Sequence, residues 1–278
     1  MENTRTKTTR NSLILLLTAA IWGMAFVSQS KGMDYMHPFT FNGVRSLIGA
    51  ASILVYILIS RKIAGDKAAP LDWKLNVKAG LLCGIFLTIA STLQQFGIKY
   101  TSVGKAGFIT TLYIIFVPMF GIFLKKKVAP VVWAAAGMAA VGMYLLCMTE
   151  SLRLGAGDIM VFLCAIAFAI QIMTVDHYAA RIDGAVVSCI QFTVCGVVCC
   201  IGALIWGQPT LGQLQEGLGA LLYAGVLSCG VGYTLQIVGQ KGLNPTVAAL
   251  IMSLESVIAT ISGWIAYKIG FLTTDQTL

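Results

Sequence analysis

Residues 92–121 read TLQQFGIKYTSVGKAGFITTLYIIFVPMFG, and residues 234–263 read TLQIVGQKGLNPTVAALIMSLESVIATISG. Laid over one another at an offset of 142 positions, they share Thr92/Thr234, Leu93/Leu235, Gln94/Gln236, Gly97/Gly239, Lys99/Lys241, Ala106/Ala248, Ile109/Ile251, Leu112/Leu254 and Gly121/Gly263. Two apolar helices match at Leu, Ile and Ala by chance. Thr, Gln, Gly, Lys and Gly in one ungapped order are a stronger coincidence, and they mark an internal repeat.

The repeat sits in a chain too apolar for water. Of its 278 residues, 58% are hydrophobic and only 11% charged, with a mean hydropathy of +0.85, whereas a soluble domain is roughly 45–50% apolar and about 25% charged. The class is an integral membrane protein. A net charge of +8 would suggest nucleic acid in a soluble protein. Here the cations occupy short loops between apolar runs, the pattern of a positive-inside membrane chain, and nucleic acid is not the expected partner. The eight cysteines all fall inside apolar runs and none forms a C-x-x-C pair. They read as small packing residues, with no disulfide framework and no metal site.

A hydrocarbon core of about 30 Å needs roughly 20 helical residues. Candidate spans are 12–30, 39–60, 75–98, 103–124, 129–148, 158–179, 185–206, 217–238 and 245–267. The basic N-terminal segment before 13–27 reads as the flank of an uncleaved first span, not as a secretory leader. With the N-terminus in the cytoplasm, most Lys and Arg fall inside, leaving Lys31, Lys99, Lys105, Arg153 and Lys268 outside, so N-in is the expected orientation. Spans three and four then correspond to spans eight and nine. A shift by five spans reverses every helix, so the expected halves are inverted repeats, 1–150 and 151–278. Weakly, 19–23 also matches 165–169. Inverted repeats mark secondary transporters, with a site near the midplane between the halves.

The segment GKAGFITTLYIIFVPMFGIFL followed by Lys125-Lys126-Lys127 resembles the fourth helix of EamA-type carriers of the drug/metabolite transporter superfamily. AALIMSLESVIATISGW resembles their ninth, and Ala20-Ile21-Trp22-Gly23 resembles the start of such a chain. The resemblance spans nearly the whole sequence and implies ten helices in two inverted five-helix halves around a central cavity. It departs at Ser256, where the family usually has Pro, and at Tyr267-Lys268, where its Gly-Glu is missing. At the repeat offset, 129–148 has its counterpart at about 271–290, beyond Leu278. The expectation is therefore an all-α membrane protein of two inverted repeats with nine spans, its tenth helix missing and 271–278 as the lead-in.

Glu255 stands alone in mid-span, where a charged side chain costs about 2.5–3.5 kcal/mol on insertion scales. It either exchanges a proton with a cavity or locks its helix to a neighbour by a hydrogen bond. Arg45 is also within a span and needs an anion, carbonyls or water. It binds an anionic solute group, pairs with Glu255, or snorkels to the interface. Polar side chains recur at helical spacing on several spans, and amides facing lipid would be unsatisfied. Trp22, Gln95, Tyr113, Gln171, Gln191 and Gln236 are the expected lining of a solute cavity, against the alternative of ordinary interhelical hydrogen bonds. Gly80 and Gly84 form a small-xxx-small pair suited to close helix packing.

These residues point to a carrier of a small organic solute in the cytoplasmic membrane, moving it by alternating access, with export favoured, using no cofactor, drawing on protons or another coupling ion, and able to self-associate. The alternatives are a non-transporting structural or chaperone-like membrane subunit and a membrane-embedded enzyme. Against the enzyme, no span holds two acids at short spacing (158–179 carries Asp158 and Asp176 at opposite ends), and His37 and His177 lie at span ends on opposite sides.

Overall fold

The computed structural model describes residues 2–65, 70–124 and 155–277, together with scattered positions between 130 and 145. The expected span 129–148 falls largely outside the described residues. Among those described there is no strand, and eight helical stretches are long and apolar enough to cross a membrane. They are Lys7–Gly32, Pro38–Ala64, Trp73–Ile98, Val103–Phe123, Ala156–Tyr178, Gly184–Gly207, Leu218–Gln240 and Pro245–Lys268. Each overlaps one of the spans expected from the sequence.

Capping residues set the starts. α2 (Pro38–Ala64) opens with Pro at its first position, and the Nδ1 of His37 accepts the Phe39 N–H at 3.3 Å. α3 (Trp73–Ile98) is capped by Asp72, which accepts from the Leu75 N–H. α7 (Gly184–Gly202) is capped by Asp183, which takes two N–H groups, from Ala185 and Val186. Each cap satisfies backbone donors that an isolated helix end leaves free.

Two spans are interrupted. The fourth consists of α4 (Val103–Thr110) and α5 (Tyr113–Phe123), and the last of α11 (Pro245–Met252) and α12 (Glu255–Lys268). α4 and α11 are each eight residues long and open on a side-chain cap, Ser102 and Asn244. Each ends in a turn tightened to i→i+3 bonding: Leu112 N–H to Ile109 and Ile114 N–H to Thr111, then Leu254 N–H to Ile251 and Ser256 N–H to Ser253. The first residues after these turns, Tyr113 and Glu255, are 142 positions apart, the offset of the sequence match.

The remaining elements are α1 (Glu2–Gly32), α6 (Ala156–Tyr178), a π-helical turn at Ala203–Gly207 that ends the α7 span, the short α8 (Leu211–Glu216), and the seventh span, in which α9 (Leu218–Leu222) leads into a π-helical stretch, Tyr223–Gly232, and then α10 (Tyr233–Gln240). A last short helix, α13 (Thr274–Thr277), lies in the segment expected as a lead-in, and Gln276 donates to Asp34 at 2.7 Å.

α2 lies against α7, and as the contact number rises on one it falls on the other: Asn42 with Cys199, Ser46 with Cys195, Ala50 with Cys189. The two are therefore antiparallel. α3 packs on α6 and α7, and α1 on α10 and the π-helical stretch. α4 packs on α12, and α5 on α11. Gly80 and Gly84 serve the close approach expected of them, because a Cβ at either would stand 2.7 Å from Ile190 Cβ or 2.9 Å from Val194 Cβ. The outer faces carry Leu, Ile, Val and aromatic side chains such as Leu13, Leu58, Ile85, Val198 and Ile261, while seven glutamines lie buried within. This is the distribution that lipid, not water, selects. The seven described cysteines are free thiols.

Candidate functional site: a central polar cavity

Side chains from α1 to α7, the π-helical stretch, α10 and α12 converge on one central cavity of about 30 Å³. At its middle the Tyr113 hydroxyl donates to Glu255 Oε1 at 3.0 Å. Glu255 is only 3% exposed, and among the described residues no cation lies within ion-pair distance of it. Both residues begin a half-helix just past a tightened turn, which places them in the middle of their spans.

An amide chain crosses from α10 to α7. Gln236 Nε2 donates to Gln171 Oε1 at 3.2 Å, and Gln171 Nε2 donates to Gln191 Oε1 at 3.5 Å. On α3, Gln94 Nε2 donates to the Thr110 hydroxyl at 3.2 Å. An aromatic wall stands beside these amides: Trp22 and Tyr233 have ring centroids 4.6 Å apart, and Phe192 meets Tyr233 edge-on at 5.0 Å. The Trp22 indole N–H and Gln236 Oε1 are buried without a partner among the described residues. Such groups carry a desolvation cost unless something else meets them.

The charged corner is built by α2. Arg45 Nε donates to Asn42 Oδ1 at 2.9 Å, and its guanidinium lies 5.5 Å from the Phe41 ring centroid. Asn42 is held in turn, its Nδ2 donating to Ser91 at 3.1 Å and to Cys199 Sγ at 3.3 Å. Ser46 and Ser91 also reach Cys195. Hydroxyl, amide and thiol groups thus tie α2, α3 and α7 together behind the guanidinium. Arg45 is 5% exposed and borders the cavity, so it does not snorkel, and it makes no ion pair with Glu255.

Of the residues singled out from the sequence, Trp22, Arg45, Tyr113, Gln171, Gln236 and Glu255 line this cavity together. Gln95 and Gln191 stand one layer back. Gln95 donates to the Gln29 carbonyl at 3.1 Å, and Gln191 backs Gln171. The lining also includes Gln94, Asn42, Ser46, Phe192 and Tyr233, which sequence reasoning did not place there. Gln94 carried a usable signal, since it is the repeat partner of Gln236.

An all-helical bundle with eight candidate spans among the described residues, lipid-type outer faces and a polar cavity where the spans converge defines a multi-pass membrane protein. The EamA-like transporter family model matches residues 10–148 and 155–275, and the chain belongs to that family. It is 30% identical to an uncharacterized transporter of Archaeoglobus fulgidus over 171 residues, a match spanning 59% of this chain and 48% of the relative. It is 26% identical to the uncharacterized transporter YwfM of Bacillus subtilis over 256 residues, 91% of this chain and 84% of that one. A solved crystal structure shares the fold at a TM-score of 0.71 and 17% identity, covering 95% of this chain and 90% of the other.

Proposed function

We propose that this protein is a secondary carrier that moves a small organic solute across the cytoplasmic membrane by alternating access, and that the central cavity is its solute site. The observation that carries this reading is the pairing of the lining residues at repeat spacing. At 142 positions stand Leu87/Cys229, Ser91/Tyr233, Gln94/Gln236 and Tyr113/Glu255. Trp22/Phe168, Ala25/Gln171, Phe26/Ile172 and Ser46/Phe192 stand 146 positions apart, the spacing at which 19–23 matches 165–169. A contact between repeat partners, such as Tyr113 with Glu255, falls on the axis relating the two copies. Antiparallel packing of α2 on α7 supports the same relation, and the halves 1–150 and 151–278 are read as inverted repeats.

In this scheme the halves rock about the cavity, opening it to one side and then the other. Lys and Arg in the loops favour a cytoplasmic N-terminus, and export is the direction proposed. Glu255 is the coupling residue, a lone acid at the axis that can trade a proton with the cavity. Trp22, Tyr113, Gln171 and Gln236 contact the solute, while Gln95 and Gln191 hold the first layer in place.

Purified protein in sealed proteoliposomes, tested with a radiolabelled panel of neutral, anionic and cationic solutes, checks this reading. Saturable uptake and counterflow of one class is the expected result. Well-folded protein that moves none of them, with or without a proton gradient, would leave a structural subunit as the better account.

A further inference from the structure

We infer that the solute carries a carboxylate, and that Arg45, set in position by Asn42, is its anchor. This rests on the solute-carrier reading above and narrows it. A guanidinium has five N–H donors in a planar fork. Asn42 takes the Nε–H, and the Asn42 amide is itself pinned by Ser91 and Cys199. That leaves the two terminal nitrogens at the cavity with no protein acceptor among the described residues. A buried cation left in this state is costly, and a bidentate oxyanion fits the fork.

Charge and shape choose among oxyanions. Arg45 is the only cation among the lining residues, and the one other charged group there, Glu255, is an acid. A phosphate dianion would need a second cation and would meet repulsion from that acid. A carboxylate monoanion is matched by one guanidinium. The body of the solute then lies against Trp22 and Tyr233, within reach of the Gln94 and Gln236 amides.

The anchor is also one-sided. At the repeat spacing the partner of Arg45 is Gln191 and that of Asn42 is Ser188, so the second half has no matching cation. A near-symmetric cavity is thereby given a single charged end. The solute binds in one orientation, with its acid on α2.

The test is ligand-induced thermal stabilisation and equilibrium binding on the purified full chain. The probes are aliphatic and aromatic monocarboxylates, each beside its primary amide and its phosphonate, with sodium chloride as the inorganic anion. The expected result is stabilisation by carboxylates over their amides and phosphonates and over chloride. Arg45→Gln should weaken that binding about 10- to 100-fold, and Arg45→Lys should weaken it less, keeping charge without the fork. If Arg45→Gln fails to fold, Asn42→Asp decides, because it sets a carboxylate against the guanidinium and should abolish acid binding in a folded protein. Acid binding that survives Arg45→Gln or Asn42→Asp overturns the proposal. So does binding and transport of neutral or cationic solutes alone, which leaves the carrier reading intact. Silence towards every solute class removes the carrier reading, and this proposal with it.

Discussion

Two sets of buried charges lie in this bundle, and they are treated differently. Where α4 meets α6, Asp158 is surrounded by donors: Lys105 Nζ at 2.8 Å, the Thr101 hydroxyl at 2.7 Å and the Gly155 N–H at 2.9 Å. At the cavity, Glu255 has one hydroxyl and Arg45 one amide, and the two do not pair. All four residues are under a tenth exposed. The satisfied pair fastens two spans. The half-satisfied charges leave bonding capacity facing a cavity, and in a membrane such capacity has a use or is lost.

That contrast breaks most directly at Asp158. Asp158→Ala leaves Lys105 buried without its carboxylate and should lower stability by about 3–5 kcal/mol, read from unfolding of the purified protein. Lys105→Met with Asp158→Leu should recover most of the loss. If Asp158→Ala proves no more damaging than Glu255→Gln, the division into fastening and working charges fails.

Glu255→Gln should do the reverse. It keeps the shape and a hydrogen bond to Tyr113, so stability should change by no more than about 1 kcal/mol. Ion-driven accumulation should fall on the order of tenfold, a coupling loss of about 1.4 kcal/mol, while solute exchange continues. Equal loss in both assays together with poor folding would make the residue a structural lock. Tyr113→Phe sharpens the comparison further by stripping Glu255 of its one donor. We expect about 1 kcal/mol of destabilisation and a shift in the pH dependence of transport without loss of solute binding.

The smallest effect belongs to His37, in the loop before α2. Burial, and then the nearby Lys99 charge, hold its pKa below the usual histidine value, and its neutral Nδ1 caps the helix. The unfolded chain therefore takes up a proton first as pH falls. Stability from this group is complete above the ordinary histidine pKa of about 6.5. It declines as pH drops from there towards the lower folded-state value. His37→Asn, a cap that does not titrate in this range, should flatten that part of the stability profile.

The spans were legible because lipid demands long apolar helices, and the lone charges because a charge in a span is conspicuous. Which polar residue faces the centre was harder. Spacing on α3 favoured Gln95, whereas the cavity takes Gln94, one residue and about 100° away. With lipid outside and protein inside, both faces of such a helix are apolar, and no water-facing side fixes the phase. Thr88 on α3 and Thr174 on α6 are also polar, but each hydroxyl bonds the carbonyl one turn back, Gly84 at 2.7 Å and Ile170 at 2.8 Å, and so needs no partner across the bundle. The thiols of Cys195 and Cys199 read as apolar packing, and only tertiary contact shows them meeting Asn42, Ser46 and Ser91. No Gly or Pro announces the turns at 111–112 and 253–254.

Those turns also set an azimuth. A 3₁₀ turn advances 120° per residue instead of about 100°, so side chains three apart eclipse one another. Thr110 and Tyr113 straddle the first turn and both face the cavity, stacked like two rungs on a single line. Downstream of the turn, α5 and α12 are rotated in phase relative to α4 and α11. A scanning-mutagenesis profile along either span should therefore slip at 111–112 and at 253–254, and no single helical wheel will fit a whole span.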